Sequence, residues 1–164
     1  MRKLRFGPLV FRDPVLLCGV LYLLLYFDAS GFLRLGLLAA LLHEMGHILE
    51  YSFLQHRLPV IEVTMTGFCM RVGENELPPL RRFWLAAAGP GVNVVLAGIW
   101  AVRLAQTATI RDSAFWAANL LTGIFNLVPI PPLDGAEMAA CIFALLRQNQ
   151  KKQPEMIEKH RHLG

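Results

Sequence analysis

The twenty residues from Phe83 to Val102 carry no charge, and neither do the twenty-one from Ser113 to Leu133. Either run is long enough to cross a bilayer as a helix, and a soluble chain of 164 residues has little interior in which to hide both. Two further apolar segments precede them, from about Pro14 to Phe27 and from about Leu35 to Leu54. With 55% hydrophobic and 17% charged residues, the composition suits lipid better than water as a solvent. The expected fold is therefore an all-α polytopic membrane protein with about four transmembrane helices. Residues 1–147 would form one membrane-embedded domain, and residues 148–164 a polar, loosely ordered C-terminal tail. Within that domain, Ala136 to Leu146 is apolar except for Glu137 but short for a crossing. It would be interfacial, re-entrant or a short fifth span.

The formal charge of +4 could suggest nucleic acid, but the basic residues cluster between and before the apolar runs, so no nucleic-acid partner is expected. Arg2, Lys3, Arg5 and Arg12 precede the first segment, while Arg57, Arg71, Arg81 and Arg82 lie between the second and third. Two crossings separate these groups, and both then fall on the cytoplasmic side. Arg103 and Arg111, on the opposite side, weaken the bias. The first segment reads as a retained span rather than a cleaved leader. Arg12 crowds it, Asp28 separates it from Ala29 and Ser30, and no A-x-A pattern follows. Cys18, Cys69 and Cys141 are far apart and form no CxxC pair, so free buried thiols are expected. In the connection after the second segment, Val60 to Met65 and Phe68 to Val72 are β-prone and flank Thr66-Gly67, which predicts a hairpin. It would serve as a solvent-facing connector or hold an extended segment by strand addition.

The second segment differs from the others in placing His43, Glu44, His47 and Glu50 inside an apolar helix, where ionisable groups are costly. Positions four apart share a helix face, roughly 6 Å apart along the axis, so His43 and His47 can grip one metal ion. Glu44 could then reach a water at that ion without being a ligand, the arrangement of an HExxH helix. The bland alternative is two histidines bonded to neighbouring helices. Two imidazoles leave zinc short of the three protein ligands usual at a catalytic site. Asp134 is the candidate third. It follows a stretch with Pro129, Pro131 and Pro132, which cannot continue as a regular helix and could aim a carboxylate inward. Asp134 could equally cap the next helix, and both roles are compatible.

Other polar and small residues carry two readings each. Gly89, Pro90 and Gly91 would kink or thin the third helix and let another backbone approach, and Asn93 could donate a hydrogen bond inside the bundle, or the group could be packing alone. Asn126 could hold a substrate carbonyl or oxyanion, or tie off backbone groups freed by Pro129. Glu50 is expected to meet water or an arginine, and His56, His160 and His162 to be surface residues.

Together, HEMGH at His43 to His47, AAAGPGVN at Ala86 to Asn93 and NLVPIPPLDG at Asn126 to Gly135 resemble the three marker motifs of the site-2 protease family, in order and in spacing. The resemblance covers roughly Leu35 to Gly135. It implies Zn2+ bound by His43, His47 and Asp134, Glu44 as general base, and a three-span core. It further implies hydrolysis of peptide bonds in or near transmembrane segments of membrane-tethered regulatory proteins, in a multi-pass protein of a bacterial cell membrane. The small form is similar to the sporulation-type branch, and regulation by a membrane partner is compatible with it. A membrane metal transporter or sensor is the competing class, but it has no use for Glu44 beside His43. A non-catalytic relative that binds substrate spans is the other alternative.

Overall fold

The computed structural model describes residues 3–7, 9–64, 67–71 and 77–161. Arg2, Met65, Thr66, Val72 and His162, named above, lie outside them. Strands β1 (Lys3–Phe6) and β2 (Leu9–Arg12) lead into helix α1 (Pro14–Phe27) and then α2 (Phe32–Gln55). Strands β3 (Val60–Thr64) and β4 (Gly67–Arg71) follow, then α3 (Pro79–Gln106), α4 (Ile110–Asn126) and α5 (Asp134–Arg161).

Local chemistry sets the helix ends. Pro14 and Pro79 open α1 and α3, where a missing N–H and a fixed φ cost nothing. Between α1 and α2 the chain turns at Gly31, whose φ of 76° favours glycine. Asp28 ties this turn by accepting from Ser30 Oγ at 3.0 Å and the Arg34 amide at 3.1 Å. At the far end of α3, Thr109 caps α4 by accepting from the Asp112 amide at 3.1 Å. The Asp112 carboxylate in turn accepts from Thr109 Oγ1, from Arg103 Nε at 2.9 Å and from Trp100 Nε1 at 3.2 Å. Of the two arginines that blur the charge bias at this end, Arg103 is therefore neutralised locally.

Three segments differ from expectation. The apolar run to Leu133 is not all helix, because α4 stops at Asn126, ahead of the prolines, and residues 127–133 form turns. The polar tail is helical as far as Arg161. A single helix, α5, absorbs both the short apolar segment and the chain as far as Arg161, in keeping with its many Gln, Lys, Glu and Met residues. Cys141 is buried, but Cys18 faces outward from α1.

Helices α2, α3 and α4 pack together, α5 lies against α3, and α1 touches α2 only lightly and buries no residue. Ala39, Leu85, Ala86, Ala97 and Phe115 are buried in the bundle, and small side chains among them let the backbones approach. The outward faces are as apolar as the inner ones, with Leu41, Leu49, Val95, Ile99 and Leu121 all exposed. Such a surface is suited to lipid rather than water. Helices α2 and α3 are long and apolar enough to cross a membrane, whereas α1, with 14 residues, is shorter.

The strands form one sheet in the order β1-β2-β3-β4. β3 pairs antiparallel with β4, from Val60 opposite Arg71 to Thr64 opposite Gly67. On its other side β3 pairs parallel with β2, with Leu9 opposite Ile61 and Phe11 opposite Val63. β1 and β2 make a second antiparallel hairpin, which the N-terminal sequence did not announce. This sheet places the N-terminal segment and the connection between α2 and α3 at the same end of the bundle. It also makes β3 an interior strand, leaving β1 and β4 as the edges among the described residues.

Candidate metal centre

On α2, His43 and His47 stand one turn apart with their Nε2 atoms 3.1 Å from each other and their rings at 81°. The break after α4 delivers Asp134 at the first turn of α5, where its Oδ2 lies 3.0 Å from His43 Nε2 and 3.3 Å from His47 Nε2. Both histidines are buried, at 4% and 8% exposure. The three residues that the sequence nominated as ligands thus converge, from positions 43, 47 and 134.

The protons on the two imidazoles follow from their neighbours. His47 Nδ1 lies 2.8 Å from the Leu85 carbonyl, which can only accept, so this nitrogen carries the hydrogen. His43 Nδ1 lies 2.7 Å from Asn93 Oδ1. The Asn93 amide cannot be reversed, because its Nδ2 faces the Ala39 carbonyl at 3.1 Å. Each neutral ring therefore turns the lone pair of Nε2 toward Asp134. Asp134 Oδ2 is itself buried and has no hydrogen bond. Three lone pairs at this distance repel one another, and a divalent cation among them resolves that conflict. Two nitrogens and one carboxylate oxygen also form a ligand set used by catalytic zinc, with a position left open. The residues fit the metal.

Glycines give the centre its room. A Cβ on Gly89 would overlap His47 Nε2 and lie 2.7 Å from His43 Nε2, so only glycine lets α3 cross the imidazole pair. At Gly46 a Cβ would lie 2.7 Å from the Ala88 carbonyl, which shows that α2 and α3 meet backbone to backbone. At Gly135 it would overlap the Leu127 carbonyl, so the turn after α4 folds tightly against the start of α5 and fixes where Asp134 sits. Pro90 is fully buried within α3 beside Gly89.

Glu44 is half-buried next to His43 on α2. Asn93 contacts the site through His43 rather than standing idle in packing. Asn126 donates to the Thr122 carbonyl, one turn back on its own helix, at 2.9 Å. Three contributors escaped the sequence reading. The Leu85 carbonyl orients His47, Asn119 is bonded to Asn93 at 3.0 Å, and Arg82 holds Glu137 through Nη2 and Nε at 2.5 and 2.8 Å. That ion pair joins α3 to α5 one turn beyond Asp134. A signal for Asn119 existed: it is one of two amides, with Asn126, in the charge-free run from Ser113 to Leu133, where a polar side chain needs a partner.

A helical bundle around a buried pair of histidines, a carboxylate and an adjacent glutamate resembles the site of an HExxH metalloprotease. Comparison with known proteins narrows that class. No family model matches the chain. Rip3 of Mycobacterium tuberculosis, assigned as a zinc metalloprotease, is 32% identical over 128 residues, which cover 73% of this chain and 32% of Rip3. The zinc metalloprotease assignment also extends to sll0528 of Synechocystis, 30% identical over 72% of this chain and 34% of that protein. Stage IV sporulation protein FB of Bacillus subtilis is 32% identical over 66% of this chain and 38% of its own. The chain thus spans about a third of the length of these relatives. In fold it is similar to the site-2 protease from Methanocaldococcus jannaschii, with a TM-score of 0.62 at 18% identity, over 87% of this chain and 71% of that one. In sequence the chain is thus similar to proteins assigned as zinc metalloproteases, and in fold to a site-2 protease.

Proposed function

We propose that this chain is an intramembrane zinc endopeptidase that hydrolyses peptide bonds in or near transmembrane segments of membrane-tethered regulatory proteins. The observation that carries this reading is the convergence of His43 Nε2, His47 Nε2 and Asp134 Oδ2, three potential metal-ligand atoms within about 3 Å of one another, on the helix that carries Glu44. Zinc held by those three atoms would supply Lewis acidity toward a peptide carbonyl and a water molecule. Glu44 takes the proton of the attacking water and returns it to the leaving amine. Asn93 and the Leu85 carbonyl keep both imidazoles turned toward the metal, and Gly89 leaves space above them. A transporter or sensor would need the ligands but not Glu44.

Four crossings by α1 to α4 would put the N-terminus and the β3–β4 hairpin on the cytoplasmic side, and the sheet that joins the two basic segments supports an even number of crossings between them. A substrate helix has its peptide bonds shielded and must unwind to be cut. An unwound segment can add as a strand only at a free edge, and β3 offers none; of the two edges, β1 and β4, β4 is the one within the connection that the sequence nominates for this role. Proline at Ile61 or Val63 would therefore break the sheet instead of testing substrate binding. Along β4, neighbouring residues direct their N–H groups to opposite sides, so of Phe68→Pro and Cys69→Pro one removes an outward donor. One of the two is expected to lower cleavage while zinc stays bound, and full cleavage by both would exclude β4 as the docking edge.

Purified protein is expected to hold about one zinc per chain, to lose cleavage of a membrane-tethered substrate on chelation, and to regain it with zinc. Asp134→Asn keeps the shape but removes the charge that balances the cation. Its zinc Kd, read by chelator competition, is expected to weaken by more than the roughly 10–100-fold typical of residues that merely orient a ligand. Unaltered zinc affinity would mean that the third ligand lies elsewhere.

A further inference from the structure

We propose that Asn119 is a positioning residue for the metal centre, acting through Asn93 to hold His43 in the tautomer that binds metal. The proposal rests on the metal reading above. Asn93 and Asn119 are both fully buried, at 0% exposure, and together they join three helices. Asn119 Nδ2 donates to the Phe115 carbonyl at 2.9 Å, so its Oδ1 is the atom turned toward Asn93. Asn93 Nδ2 gives one hydrogen to that Oδ1 at 3.0 Å and the other to the Ala39 carbonyl at 3.1 Å. Asn93 Oδ1 is then left to accept from His43 Nδ1 at 2.7 Å. The chain of bonds has one direction only, because both of its ends, Ala39 and Phe115, are main-chain carbonyls that cannot donate.

Each link uses a donor that would otherwise be buried without a partner, which is costly in an apolar bundle. The approach of α4 that makes this possible is visible at Gly123, one turn beyond Asn119, where a Cβ would lie 3.2 Å from Asn93 Cβ. If Asn119 served packing alone, leucine, of similar size, would replace it without consequence for His43. If it serves polarity, what matters is an acceptor toward Asn93 together with a donor toward Phe115. A protonated carboxyl offers both, and an apolar site keeps a carboxyl protonated at neutral pH.

The test compares Asn119→Leu, Asn119→Ser and Asn119→Asp with the unaltered full chain, each purified and loaded with zinc. Zinc Kd is read by chelator competition, and exchange of the His43 Nδ1 hydrogen by NMR of 15N-histidine-labelled protein. Asn119→Leu is expected to weaken zinc about tenfold, the lower end of the range for outer partners of a ligating histidine, and to speed that exchange. Asn119→Ser can still satisfy the Phe115 carbonyl but falls short of Asn93, and is expected to behave likewise; it decides the matter if the leucine variant does not fold. Asn119→Asp is expected to restore the original Kd to within about twofold at neutral pH. Unchanged Kd and exchange in the leucine and serine variants would overturn the proposal even if their thermal midpoints fall. So would an Asn119→Asp variant as impaired as Asn119→Leu. Unaltered protein that binds no zinc would instead sink the metal reading on which the proposal rests.

Discussion

Replacing Glu44 with glutamine is expected to lower peptide-bond hydrolysis by about 10²–10⁴-fold while the protein keeps about one zinc per chain. The two halves of this result have different causes. The convergent atoms are His43 Nε2, His47 Nε2 and Asp134 Oδ2, and Glu44 is not among them. Glutamine fills the same volume and can still hydrogen-bond, so the helix and the imidazole pair are undisturbed. It cannot take a proton from water at neutral pH. The missing proton transfer raises the barrier by about 3–5 kcal/mol. Cleavage of a membrane-tethered reporter, measured beside zinc content, checks both halves. Activity within tenfold of the original chain would remove Glu44 as the base, and loss of zinc would make it a ligand instead.

The parts of this architecture that the sequence made legible are those governed by neighbours along the chain. Apolar runs locate α1, α2 and α3 to within a few residues, and a four-residue spacing puts His43 and His47 on one face. Asp134 was reachable because prolines announce a break in a membrane segment, and a carboxylate at such a break needs a reason. That break also shows where counting apolar residues misleads, since hydropathy continues to Leu133 although the helix cannot pass Asn126. What stayed hidden depends on partners distant in sequence. Four-residue strands at Lys3–Phe6 and Leu9–Arg12 acquire meaning only from Val60–Thr64, some fifty residues later, so the N-terminus read as orienting charge and nothing more. Asn119 meets Asn93 across 26 residues, and Arg82 meets Glu137 across 55. Local propensity contains no trace of either pairing. The role of Gly89 lay between these cases: its smallness was legible, but the atoms that require it were not.

Gly89→Ala is expected to abolish high-affinity zinc binding, with activity falling alongside, through one added methyl group. The new Cβ would overlap His47 Nε2 and stand 2.7 Å from His43 Nε2, in the space where the lone pairs of both rings converge. Relief would require α3 to withdraw or the rings to turn. Withdrawal is opposed by α2 and α3 meeting backbone to backbone at Gly46 and Ala88, and by the Arg82–Glu137 ion pair that joins α3 to α5. Turning the rings breaks the bonds from His43 Nδ1 to Asn93 and from His47 Nδ1 to Leu85. Either response moves at least one ligand out of reach, so the loss of zinc affinity is expected to exceed the roughly 10–100-fold of an outer-partner change. Gly91 supplies the control, because a Cβ there meets nothing within 4 Å. Gly91→Ala adds the same methyl to the same helix and the same small gain in helix propensity, and should leave zinc affinity as it was. Chelator competition on the two variants separates a steric effect at the metal from a general effect of stiffening α3. Equal zinc affinity in both would show that the imidazole pair tolerates a methyl above it, and that the close approach at Gly89 is a matter of packing.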